Sequence, residues 1–130
     1  MSQEELEKKI EAQYRGLTRM SDMHFDKWMV SDFTLSPNGK FLGYKVSRFY
    51  ETYHPERADD YNAVAVYDVE QDVERKSSLD KYASTPSVWP EDAIEDIHKV
   101  SDDGVIDYVT RDGKRHQRDL GRRERGERDD

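Results

Sequence analysis

The sequence predicts an α+β fold: an N-terminal helix, a small antiparallel sheet of four or five strands, and a flexible C-terminal tail. Three observations carry this expectation. Leu6, Ile10 and Tyr14 recur at helical spacing near the N-terminus. Two β-like runs flank Ser36-Pro37-Asn38-Gly39, where Pro presets φ and Asn-Gly tolerates positive φ. The last ten residues, Gly121 to Asp130, are a low-complexity mix of both charges. At 130 residues the chain reads as one domain over 1–120 followed by a tail over 121–130.

The helix is expected from Ser2 to about Tyr14. Ser2 and Glu5 have the spacing of a capping box, which satisfies two backbone donors reciprocally. Leu6, Ile10, Tyr14 and Leu17 form a narrow apolar stripe, and Gly16 is the expected stop. Thr18 to Lys27 is polar and reads as a connector.

Trp28 to Leu35 reads as a strand with Met29, Phe33 and Leu35 on one face. Phe41 to Tyr50 reads as a second strand. Leu42, Tyr44, Val46 and Tyr50 share one of its faces, and Phe41, Gly43, Lys45, Ser47 and Phe49 the other. Aromatics on both faces imply cover on both sides. Glu51 to Asn62 reads as a long loop, and Ala63 to Val69 as a third strand. Asp72 to Lys81 is charged, and Tyr82 to Pro90 is irregular. Glu91 to His98 fits a short helix or a strand, since Ile94 and Ile97 alone do not decide between them. Val105 to Thr110 reads as a strand, Arg111-Asp112-Gly113-Lys114 as a turn, and Arg115 to Leu120 as a last, polar strand.

The net charge is -8, unevenly placed. Residues 111–130 carry eight basic and six acidic side chains, and residues 1–110 carry 13 and 23. An acidic body disfavours non-specific binding to nucleic acid or anionic membrane and favours basic partners. There is no cysteine, hence no disulfide framework and no thiolate metal site. No apolar signal core or membrane-length run is present, so a soluble, cytoplasmic protein is expected.

Leu35-Ser36-Pro37-Asn38-Gly39-Lys40-Phe41-Leu42-Gly43-Tyr44, followed by Val64-Ala65-Val66-Tyr67-Asp68-Val69-Glu70, resembles a blade of the β-propeller families of the TolB or peptidase-N-terminal kind. Val100-Ser101-Asp102-Asp103-Gly104-Val105-Ile106-Asp107-Tyr108 looks like a degenerate second copy of the turn. The resemblance covers about a third of the chain. It implies a local hairpin shape and neither an activity nor a site, because a propeller needs several blades of roughly 40–50 residues.

Motifs that would announce chemistry are missing. There is no Gly-x-Ser-x-Gly and no Gly-rich phosphate loop. His24-Phe25-Asp26 and His54-Pro55-Glu56 each place a histidine two residues from a carboxylate, but a metal site needs three or four converging ligands. Asp59-Asp60 and Asp102-Asp103 are carboxylate pairs of the kind that cap turns, and Asp102-Asp103-Gly104 reads as one. No catalytic residue, metal or cofactor is assigned.

The expected function is therefore non-enzymatic. The chain reads as a small acidic protein-binding module, an adaptor or an inhibitor of a larger partner, as small phage-type inhibitors are. The expected contact residues are Phe49, Tyr50, Tyr53, His54, Glu56, Asp59, Asp60 and Tyr61, since aromatics around a polar loop are common interface anchors. The alternative is a nucleic-acid-associated protein using Arg115, Arg118, Arg122, Arg123 and Arg125. Interleaved Asp112, Asp119, Glu124 and Glu127 weaken that field, and the tail offers no aromatic for base stacking.

Overall fold

The computed structural model describes residues 2–21, 24–52, 59–77, 80–83 and 93–121, with the backbone alone at 51–52, 59–60 and 80–83. One helix and nine strands are described, so the α+β class holds while the strand number exceeds the four or five expected.

Helix α1 (Gln3–Arg15) begins where the capping box places it. The Glu5 N–H donates to Ser2 Oγ at 3.2 Å, and the Ser2 N–H donates to Glu5 Oε1 at 2.9 Å. Leu6, Ile10 and Tyr14 are buried. Leu17 does not continue their stripe: the helix has ended by then, and Leu17 is 48% exposed.

The first sheet is antiparallel throughout, in the order β1 (Arg19–Met20), β2 (His24–Leu35), β3 (Phe41–Thr52), β4 (Asp59–Asp68), β5 (Val73–Lys76). A sixth strand, β6 (Asp80–Ala83), pairs with the other half of β4. The register on β4 moves by one residue between β5 and β6. The second sheet is an antiparallel meander of β7 (Ile94–Val100), β8 (Val105–Thr110) and β9 (Arg115–Asp119).

These elements form three layers. Helix α1 covers one face of the first sheet, where Leu6, Ile10 and Tyr14 meet Leu42, Tyr44, Val46, Ala63, Ala65 and Tyr67. The second sheet covers the other face, where Val64 and Val66 meet Ile94, Ile97, Val100 and Ile106. β4 is buried on both sides from Asn62 to Asp68, which is why it reads as an unbroken Ala-Val-Ala-Val run. Gly43 sits under the second sheet. A Cβ there would lie 2.3 Å from Val100 Cγ2 and 3.0 Å from Ile106 Cδ1, so only glycine permits this approach.

Several local expectations are corrected. The Thr18–Lys27 connector contains β1 and the start of β2. The Glu51–Asn62 loop is shorter than read, because β3 runs to Thr52 and β4 starts at Asp59. The Asp72–Lys81 and Tyr82–Pro90 stretches contain β5 and β6. On β2, Met29 does not share a face with Phe33 and Leu35. A bulge between Ser31 and Thr34, with Asp32 at φ 61°, shifts the alternation. Trp28, Val30, Phe33 and Leu35 pack under the helix instead, and Met29 is 43% exposed. The Asp32 carboxylate accepts the Ile97 N–H, tying the bulge to the second sheet.

Glu91–His98 is resolved in favour of a strand from Ile94 onward. β7 buries Ile94, Ile97 and Val100 at a spacing of three because two register shifts each insert an extra residue. That is the spacing which mimics a helix in sequence.

Both expected turns form, with Gly39 at φ 76° and Gly113 at φ 84°. The Ser36–Gly39 turn also docks on the related Ser101–Gly104 turn. The Asn38 N–H donates to Asp102 Oδ1 at 2.8 Å, and Asn38 Nδ2 donates to the Asp102 carbonyl at 3.3 Å. The tail expected over 121–130 lies outside the described residues apart from Gly121.

Candidate functional site

The helix covers only part of its face of the first sheet. Tyr14, in its last turn, reaches Trp28, with ring centroids 5.7 Å apart. Among the described residues, the same face continues beyond Trp28 without helical cover toward His24, Tyr50 and Tyr61.

Register builds this end of the sheet in rows. Arg48 on β3 lies directly opposite Trp28 on β2 and Tyr61 on β4. Tyr50 lies two residues along, on the same face as Arg48, opposite Asp26. The Arg48 guanidinium therefore sits among three rings, at 5.0 Å from Trp28, 5.1 Å from Tyr50 and 5.6 Å from Tyr61. Asp26 fixes its plane: Nε donates to Oδ1 at 2.7 Å, and Nη2 donates to Oδ2 at 2.8 Å. This two-point geometry is specific to arginine. The Arg48 bonds hold the Asp26 carboxyl below the usual carboxylate range and raise the Arg48 guanidinium in turn. His24 closes the row, edge-on to Tyr50 at 5.2 Å.

Toward the helix a second cation extends the band. Lys76 lies over the rings of Tyr14 (5.3 Å) and Trp28 (5.4 Å), and its Nζ donates to Tyr14 Oη at 3.1 Å. Glu74, two residues back on β5, accepts the hydroxyls of Tyr14 (2.8 and 3.0 Å) and Tyr44. Burial first, then the Glu74 charge, pushes both phenols far above their usual range. They stay neutral and act as donors. A groove of about 410 Å³ opens beside the band, with Tyr14 and Arg15 of the helix on one side and Lys27, Trp28 and Met29 of β2 on the other.

The polar groups of the band are largely committed to one another. Its cations are stacked on rings or paired, and the Glu74 oxygens receive tyrosine hydroxyls. Among the described residues no three His, Asp or Glu side chains converge as metal ligands.

Of the contact residues expected from sequence, Tyr50 and Tyr61 come together around Arg48. Phe49 points to the opposite face of β3, as strand alternation requires. Asp59 and Asp60 lie on β4, opposite Tyr50 and Phe49. Tyr53, His54 and Glu56 lie outside the described residues, between β3 and β4. Of the basic alternative, Arg115 and Arg118 are exposed on β9 but an odd number of residues apart, hence on opposite faces. Arg122, Arg123 and Arg125 lie outside the described residues.

Sequence reasoning missed Arg48, Trp28, Asp26, Lys76 and Glu74 as members of the site. One signal was available: Arg48 precedes Tyr50 by two residues and so shares its face. Trp28 and Lys76 become neighbours only once strand order and register are fixed. Comparison with protein-family models, curated proteins and solved structures gave no match to this chain.

Proposed function

We propose that this chain is a non-enzymatic, cytoplasmic protein-binding module, an adaptor or inhibitor, whose anchor is the Trp28–Arg48–Tyr50–Tyr61 band. One observation carries the reading. A guanidinium stacked among three aromatic rings and fixed by Asp26 lies at the end of the sheet that the helix leaves uncovered. Trp, Tyr and Arg are the residues that dominate binding energy at protein interfaces, and here they are held rigid before binding. The adjoining segment 53–58 brings Tyr53, His54 and Glu56 into the same stretch of chain. The acidic body favours a partner with a basic surface.

The test is affinity capture from the native cell with the intact chain, followed by binding measurements on the purified partner. Truncating an anchoring tyrosine commonly costs about 2 kcal/mol, roughly a thirtyfold loss of affinity. Tyr61→Ala and Tyr53→Ala are expected to weaken binding on that scale while the thermal midpoint barely moves. Removing 122–130 is expected to change little. Binding lost with the tail and kept in both tyrosine variants would refute the reading and favour the arginine-rich segment.

A further inference from the structure

We infer that the outer edge of β2 at Trp28–Val30 takes an extended peptide strand carrying apolar and acidic side chains. β1 covers this edge only briefly, since its two residues pair with Phe25 and Asp26. Helix α1 precedes β1, so from Lys27 to Val30 β2 has no strand on that side among the described residues. Two bonds fix which backbone groups point outward. The Ser21 N–H donates to the His24 carbonyl at 2.8 Å, and the Trp28 N–H donates to Thr18 Oγ1 at 3.1 Å. Successive residues of a strand bond to opposite sides, so the even-numbered residues of β2 address its outer side up to the bulge. The Trp28 carbonyl and the Val30 N–H and carbonyl therefore point away from β3, with no partner among the described residues. That row has the spacing of a strand, and it calls for a peptide backbone.

The surroundings of the edge say which side chains the peptide carries. The groove of about 410 Å³ lies against it, between Tyr14, Arg15 and Thr18 on one side and the Lys27–Val30 stretch on the other. Leu17, Met20 and Met29 are the exposed large apolar side chains among the described residues, and all three lie around this edge. Met20 pairs with Phe25, so it shares a face of the sheet with Met29, while Trp28 and Val30 lie on the helix side. Apolar surface on both faces suits a strand whose side chains alternate between them. Arg15 and Lys27 flank the groove, and neither has an ion-pair partner among the described residues. Glu11 opposes them with a single charge. The rim is thus cationic within an acidic body, and it favours carboxylates on the incoming strand. Backbone bonds supply the affinity, and the groove, the methionines and the two cations supply the selection.

Amide exchange followed by NMR on the intact chain makes the first test. Val30 is expected to exchange quickly, and Met29, whose N–H points toward β3, slowly. A Val30 amide already protected in the free chain overturns the inference, because the edge is then occupied. The second test selects binders from a displayed library of random peptides of about ten residues, with the intact chain as bait. Selected peptides are expected to alternate apolar side chains, to carry Asp or Glu, and to protect the Val30 amide when bound. Val30→Pro removes an outward donor and leaves the bonds to β3 in place. It is expected to weaken the selected peptide by about tenfold or more. Methylating alternate backbone amides of the peptide tests the same bonds with the protein unaltered and is expected to cost about as much. Arg15→Glu combined with Lys27→Glu is expected to cost about tenfold, and Lys99→Glu, an exposed site on β7, nothing. A library without such binders overturns the inference. So do binders indifferent to the double charge reversal, or indifferent to both Val30→Pro and peptide methylation. The assay uses peptide alone, so its outcome is independent of the Arg48 band.

Discussion

At the scale of single residues, Tyr14 and Tyr44 are, among the described residues, the most heavily perturbed titrating groups, both hydrogen-bonded to Glu74. Their folded pKa values are raised above the unfolded value of about 10. Such a group contributes stability that is complete below the unfolded pKa and is lost as pH rises toward the folded one. The protein is therefore expected to lose stability steeply above about pH 10. Tyr14→Phe removes one titrating phenol and should flatten that alkaline limb, as read by denaturant midpoints at stepped pH. An unchanged slope would mean that neither burial nor Glu74 raises this phenol on folding. Asp26 has the opposite sign. Its folded pKa is depressed by Arg48, so its contribution is complete above the unfolded value of about 4 and fades as pH falls through the folded one. Asp26→Asn should cost about 1–2 kcal/mol at neutral pH and nearly nothing in strong acid.

Among the elements, the layer contacts identify which substitutions matter. Gly43 has no room for a side chain beneath Val100 and Ile106. Gly43→Ala should cost about 1–3 kcal/mol by overpacking, measured by chemical denaturation. A neutral result would mean that the two sheets are less closely stacked than described. At the other face, Ile10→Ala should cost about 2–5 kcal/mol, because Ile10 is fully buried between helix and sheet. The same elements show what was legible in the sequence. The capping box, the Leu6/Ile10/Tyr14 stripe and both Gly turns depend on neighbours in sequence, and they could be read directly. β5 and β6 could not, because edge strands need little apolar pattern. β7 could not, because its register shifts give three-residue spacing. The Met29 face was misassigned because the Asp32 bulge, held partly by Ile97 sixty-five residues away, has no local signature. The site was half legible for the same reason. Tyr50 and Tyr61 flank a connection seen in sequence, whereas Trp28, Arg48 and Lys76 meet only through register.

On the scale of the whole molecule, two surfaces stand apart. The first sheet ends in a rigid aromatic–cation band on its helix side, and the second sheet ends in the polar β9 edge. The band is the proposed partner surface. The most direct measurement is hydrogen–deuterium exchange on the chain with and without its captured, purified partner. Protection on binding is expected to concentrate in residues 24–28, 48–52 and 59–61, with the 53–58 segment between them. Protection confined to 114–130, with those strands unchanged, would contradict it.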